Sequence, residues 1–226
     1  TYPGGPAPIM EINVMIKLDI MSDPICPWCY IGKTQLDMAL ATYSDHPFDI
    51  EWHPFQLNPD MPYKGMDRRD YLERKFGGKS AAVKVYANIE RQAQALNLPI
   101  DFAAMQRTPN TINAHRLIHW AGLEQKQQAL VDALFEAYFC NGIDIGDPLA
   151  LCDLAEKSGL DRDVIMRLLK GDLDIKMIQE RDAHSRKMGV SAVPTFIVAN
   201  QHAVPGAQPP EVWANIIAEL QLKITD

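Results

Sequence analysis

VMIKLDIMSDPICPWCYIGK, residues Val14 to Lys33, runs from a β-rich apolar segment straight into two cysteines separated by two residues. Val14 to Ile20 has the composition of a strand. Beyond the cysteines, Gly32, Leu36, Leu40 and Tyr43 fall at i, i+4, i+8 and i+11, one face of a helix that starts near Cys26. Phe48 to Phe55 (FDIEWHPF) then alternates apolar and polar, which predicts a second strand. The unit is strand, helix, strand, with Cys-x-x-Cys at the helix start.

That position has chemical consequences. With Cys26 as N-cap, Pro27 takes the first helical position, where its missing N–H costs nothing and its φ suits the helix. The amides of Trp28 and Cys29 are then expected to point at the Cys26 sulfur, and the helix dipole favours negative charge there. Helix-end effects reach about 2 kcal/mol, roughly 1.5 pKa units, so a deeper shift needs direct hydrogen bonds to sulfur. Cys29 lies one turn on, with its Cα about 5–6 Å away, inside the range a disulfide tolerates. Cys26 is therefore the expected nucleophile and Cys29 the resolving thiol.

From about residue 60 to 190 helical periodicity recurs and no strand is predicted. Ala114, Leu117, Ile118 and Ala121 share a face, as do Val131, Leu134, Phe135 and Tyr138; Asp147-Pro148 and Asp161 are start signals and Gly171 a stop. Strand character returns at Val193 to Val198, followed by a turn near Asn200-Gln201. A closing helix opens at Pro209-Pro210, with Trp213, Ile216, Ile217 and Leu220 on one face. The order is βαβ, helices, ββα. It brings the start of the Val193–Val198 strand beside the first helix, where a cis Val193-Pro194 bond would leave the Val193 backbone facing the thiols. An extended substrate could pair with that backbone by strand addition.

Composition narrows the function. The 226 residues carry 22 Lys and Arg against 29 Asp and Glu, a net charge of −7 with no basic block, which excludes nucleic acid as the main partner. No run nears the roughly 18 apolar residues of a membrane span. Residues 1–13 lack the basic start and apolar middle of a secretory signal and are read as a flexible lead-in; the cytoplasm is the expected compartment. A structural zinc site would want two more ligands at recognisable spacing, and none follows the Cys-x-x-Cys. Gly77-Gly78-Lys79-Ser80 ends like a phosphate loop but has Glu73 where that motif needs Gly, and His115 and His119 flank Arg116 where a zincin helix has Glu. No metal is expected. Trp28 is expected to pack on substrate or shield the disulfide, and His53 to lie near the thiols as a supporting group.

Four segments carry a family resemblance: SDPICPWCYIGK (Ser22 to Lys33), HPFQLNPDMP (His53 to Pro62), PNTINAHRL (Pro109 to Leu117) and GVSAVPTFIV (Gly189 to Val198). Together they resemble the DsbA family of thiol:disulfide oxidoreductases, in particular its FrnE-like subgroup. The resemblance implies an α/β, thioredoxin-like fold with a large all-helical insertion: a discontinuous domain of residues 14–60 and 188–226, interrupted by a helical domain of 61–187. It implies a nucleophilic Cys26, a resolving Cys29 and a cis Val193-Pro194 bond facing them; Val193 and Pro194 are then, with Trp28, the expected substrate-side residues. Glutathione-dependent 2-hydroxychromene-2-carboxylate isomerases and kappa-type glutathione transferases are related, but carry Ser where this chain has Cys26; in them a segment similar to Asn110-Thr111 lines the cleft, which makes Asn110 a further candidate.

Three readings follow: disulfide exchange on protein or small-molecule thiols, a glutathione-dependent isomerase or transferase, and a non-catalytic redox sensor. No cofactor is required, although glutathione fits as reductant or ligand, and the protein is expected to be a monomer or homodimer. Cys140 and Cys152 match no second redox pair and are expected to be inert core thiols.

Overall fold

The structure, a computed structural model, describes residues 15–43 and 45–225. Val14 and the lead-in of residues 1–13 lie outside the described residues. β1 (Ile16–Ser22) is followed by α1 (Pro27–Thr42) and β2 (Phe48–Pro54). Then come β3 (Met66–Asp67), α2 (Arg68–Phe76), α3 (Lys79–Ala95), β4 (Arg107–Thr108), α4 (Ile112–Leu123) and α5 (Gln127–Phe135), which ends in a π-helical turn, Glu136–Cys140. α6 (Pro148–Lys157), α7 (Arg162–Lys170) and α8 (Ile175–Lys187) lead back to β5 (Thr195–Val198), β6 (His202–Pro205) and α9 (Pro210–Thr225).

The main sheet has the order β2-β1-β5-β6. β1 and β2 are parallel, in register from Ile16 opposite Phe48 to Ser22 opposite Pro54. β5 runs antiparallel to β1, and β6 antiparallel to β5. β1 lies between β2 and β5, which explains why its last five residues, Asp19 and Ser22 included, are all buried. β2 is an edge strand, and α5 covers its edge: the Gln127 side chain accepts from the Trp52 amide at 2.8 Å and donates to the Trp52 carbonyl at 3.2 Å. A side-chain amide thus supplies the bonds a neighbouring strand would have made. This is a thioredoxin-like arrangement of mixed sheet and flanking helices.

One feature of the middle segment differs from expectation. β3 and β4 pair antiparallel, Met66 opposite Thr108 and Asp67 opposite Arg107. Two residues per strand cannot display a period of two, so no pattern announces them. The ribbon sets Arg68 beside Thr108, and the Arg68 amide donates to the Gln106 carbonyl at 3.0 Å. The helical starts follow their signals: Asp147 and Asp161 accept from the amides of Leu149 and Val164. At the far end of α7 the buried Arg116 guanidinium gathers the carbonyls of Leu168, Gly171 and Leu173 at 2.7–2.8 Å.

β5 meets α1 at a glycine. A Cβ built on Gly32 would sit 3.0 Å from Pro194 Cγ and 3.3 Å from Ala207 Cα, so only a bare backbone lets the start of β5 come this close to the helix. In an open helix Gly→Ala stabilises by about 1 kcal/mol. Gly32→Ala is expected to do the reverse and cost about 1–3 kcal/mol through overpacking, read as a lower urea midpoint; an unchanged or higher midpoint would remove the packing role assigned to Gly32.

Candidate active site

The turn between β1 and α1 is fixed by a buried carboxylate. Asp23 is fully buried; its Oδ2 accepts from the Leu57 amide at 2.7 Å and its Oδ1 from the Ile25 amide at 3.4 Å, while its carbonyl accepts from the Cys26 amide at 2.9 Å. Through these bonds the segment after β2 holds the residues that enter α1. His115, from α4, brings Nε2 to 3.7 Å from Asp23 Oδ1. His115 stands out in the sequence only by its spacing from His119, which points to a metal rather than to Asp23, and the only signal for Asp23 is its place in the segment before the cysteines.

Cys26 caps α1 with an extended backbone (φ −85°, ψ 113°), and Pro27 takes the first helical position. The expected amide-to-sulfur bonds are not formed. The Cys29 and Tyr30 amides donate to the Cys26 carbonyl at 3.0 and 3.2 Å, and the Cys26 side chain makes no capping hydrogen bond. Its thiol instead donates to the Val193 carbonyl at 3.6 Å, across a Val193-Pro194 bond that is cis. Both cysteines are free thiols. Cys29 is sealed at 1% exposure; burial pushes its thiol well above the ordinary range and the adjacent Cys26 sulfur pushes it further, against a smaller opposing pull from the Ser22 hydroxyl and the Asp23 backbone.

Cys26 borders a cleft of about 280 Å³. Pro27, Trp28 and Val193 line it from the sheet side, and Tyr71, Val85, Tyr86 and Ile89 from α2 and α3. Arg68, Thr108 and Tyr138 line it too. Arg68 Nη1 donates to the Tyr138 hydroxyl at 3.1 Å, and the guanidinium carbon lies 5.1 Å from the centre of the Tyr86 ring. Sequence reasoning passed over Arg68, because Arg68-Arg69 reads as a pair of surface charges; Arg69 is one, but Arg68 is 7% exposed.

Two expected site residues lie elsewhere. His53 is on β2, where Nε2 is 2.7 Å from Asp19 and Nδ1 is 2.8 Å from an Arg181 nitrogen, so its ring serves a buried charge network. Burial pushes its pKa below the usual histidine value, outweighing the Asp19 hydrogen bond, and a neutral ring adds no cation to stabilise a thiolate. Asn110 is not among the residues lining the cleft; its amide donates to the Met61 carbonyl at 2.7 Å and accepts from the Ile112 amide at 2.9 Å.

The other polar clusters are similarly committed. Asp19, Glu51 and His53 bring ligand atoms within 4.8 Å of one another, but Lys17 and Arg181 already neutralise the two acids. His115 faces Asp23 while His119 lies 3.4 Å from Arg181, so the two do not share a site. Cys152 is a core thiol as expected, whereas Cys140 is half-buried, 3.6 Å from the Tyr30 hydroxyl.

Comparison with known proteins agrees with this geometry. A probable DsbA oxidoreductase from Streptomyces coelicolor superposes with a TM-score of 0.81 at 27% identity, covering 90% of this chain and 89% of its own. An uncharacterised protein of Bacillus subtilis, YwbO, is 27% identical over 213 residues, 92% of this chain and 98% of that one. A 2-hydroxychromene-2-carboxylate isomerase shares the fold, with a TM-score of 0.70 at 18% identity over 92% of this chain and 98% of its own. The family model of the DSBA-like thioredoxin domain matches residues 17–218, and the chain belongs to that family.

Proposed function

We propose that this protein is a thiol:disulfide oxidoreductase in which Cys26 attacks and Cys29 resolves. The observation that carries the reading is the asymmetry of the pair: Cys26 borders the cleft and touches the Val193 backbone, whereas Cys29 is sealed behind it with a thiol that resists ionisation. The cysteines belong to the unit of residues 14–60 and 188–226, and the helical unit of residues 61–187 supplies the facing wall. Trp28, Val193 and Pro194 serve the substrate side, with Val193 presenting backbone to an extended chain.

In the reducing direction the Cys26 thiolate attacks one sulfur of a substrate disulfide, and the other sulfur leaves as a thiolate. Cys29 then gives up its proton and attacks Cys26 Sγ, which releases the second substrate thiolate and leaves a Cys26–Cys29 disulfide. Two electrons pass from the cysteine pair to the substrate; the reverse sequence oxidises a dithiol. While it keeps its proton, Cys29 can donate a hydrogen bond to the Cys26 thiolate, a charge-assisted bond worth about 1.5–3 kcal/mol. The chemistry needs no cofactor.

Turbidity from insulin reduction by dithiothreitol tests the reading. The wild-type protein is expected to accelerate it and Cys26→Ser to abolish the acceleration, while Cys29→Ser accumulates a mixed disulfide on Cys26. Isomerisation of a chromene carboxylate that survives Cys26→Ser would instead favour the glutathione-dependent alternative.

A second expectation concerns pH. An acid whose pKa is raised on folding holds its proton longer in the native state, so its stabilising effect is complete below the free-thiol value of about 8.5 and lost as pH rises through the native value. Between about pH 8 and pH 10 the reduced wild-type protein is therefore expected to lose more stability than Cys29→Ala, read as the fall in urea midpoint. Equal falls in the two proteins would mean that Cys29 ionises freely.

A further inference from the structure

Arg68 is the least settled cation among the described residues. The residue is 7% exposed, and its buried Nη2 has no hydrogen-bond partner. Burial pushes the Tyr86 hydroxyl above its ordinary range against an opposing pull from the Arg68 guanidinium, so a neutral phenol and the Tyr138 hydroxyl are the groups that face this cation. No carboxylate among the described residues forms an ion pair with Arg68. Thr108, on β4, lines the same cleft with its Oγ1 buried. Arg116 shows how this chain treats a structural arginine: Nε, Nη1 and Nη2 all donate, to three carbonyls and to Asn113 Oδ1. A buried, unpaired cation costs several kcal/mol, so a group kept in that state points to an anion that arrives later.

The surroundings say which anion. The cleft that Arg68 and Thr108 share with Cys26 has apolar and aromatic walls, and none of the described residues lining it is acidic, although the chain as a whole carries −7. Its one other charge is Lys75, exposed, with Nζ 2.6 Å from the Tyr71 hydroxyl. At about 280 Å³ it lies at the small end of ligand pockets, enough for one ring or a short apolar chain. A peptide such as glutathione, with two carboxylates and an ammonium, would leave an amine and an extra acid against apolar walls.

We infer that this cleft selects a small apolar or aromatic carboxylate bearing a thiol or disulfide, its carboxylate held by Arg68 and Thr108 and steered by Lys75, its sulfur presented to Cys26. The inference rests on the disulfide-exchange reading and specifies its substrate class. For a disulfide of this kind, Cys26 forms a bond to the sulfur nearer the cleft and the distal half leaves as a thiolate. Cys29 then displaces the bound half, so the reduced protein is itself the two-electron reductant.

Single-turnover oxidation of the reduced protein tests this with two aromatic disulfides, 5,5′-dithiobis(2-nitrobenzoate), which carries carboxylates, and 4,4′-dithiodipyridine, which does not. The ratio of their rates on Cys26 is the readout. Arg68→Met is expected to lower the ratio at least about tenfold, a readout in which any change of Cys26 reactivity common to both reagents cancels; Arg68→Lys should keep most of it. Arg69→Gln, which removes the same charge from an exposed neighbour, should leave the ratio within about twofold. Should Arg68→Met fail to fold, Lys75→Gln decides in its place, with an expected fall of about threefold. Equal falls in the Arg68 or Lys75 variant and in Arg69→Gln would overturn the inference while leaving disulfide exchange intact. If neither reagent oxidises Cys26 in the wild-type protein, the exchange reading fails and takes the inference with it.

Discussion

The close approach of Pro194 to Gly32 governs where everything else in the site can sit. β5 is held by β1 in a register that pairs Ile20 with Phe196 and Met21 with Thr195, and the residues before Thr195 must then pass over the first turns of α1. Side chains in a strand alternate faces, so a slip of one residue would turn the wrong face of β5 toward the helix and move Val193 off Cys26. On the same face of the sheet the Phe196 and Trp213 rings pack edge-on at 4.7 Å between β5 and α9, which itself lies against α1. A bare α-carbon at position 32 and an aromatic pair farther along the same face together set which carbonyl the Cys26 thiol meets.

Two chemically identical thiols, both buried, are separated by which of them the cleft reaches. Cys26 and Cys29 are one helical turn apart, yet only Cys26 borders the cleft, and desolvation keeps the proton on Cys29. The same low-polarity surroundings act on Arg68 from the other wall. What makes a neutral thiol preferable at Cys29 makes an unpaired guanidinium costly across the cleft, and an anionic ligand is the charge that would relieve that cost. The helices between β2 and β5 thus do more than cover the sheet.

Legibility in the sequence followed the length and regularity of each signal. β1, β2, α1 and α9 each span seven or more residues with a clear period, and the cysteine spacing carries its own geometry, so they could be read directly. The two-residue β3–β4 ribbon has no period to detect, and with it went the juxtaposition of Arg68 and Thr108. His53 was placed near the thiols because it follows a strand; residue type cannot reveal that Asp19 and Arg181 claim both ring nitrogens. The amides after Cys26 were expected on its sulfur, but backbone bonds to the Cys26 carbonyl are equally available to the Cys29 and Tyr30 amides, and the competition is invisible in the sequence.

That outcome bears on how the nucleophile is made ready. A thiol can donate to the Val193 carbonyl, but a thiolate has nothing to give and would be repelled by the same oxygen. Ionisation of Cys26 therefore has to loosen this contact, which frees the sulfur to turn toward the dipole at the start of α1 and frees the Val193 carbonyl to accept from another donor. The thiol proton and any other donor thus compete for a single backbone oxygen, which Gly32 and Pro194 keep within reach of Cys26.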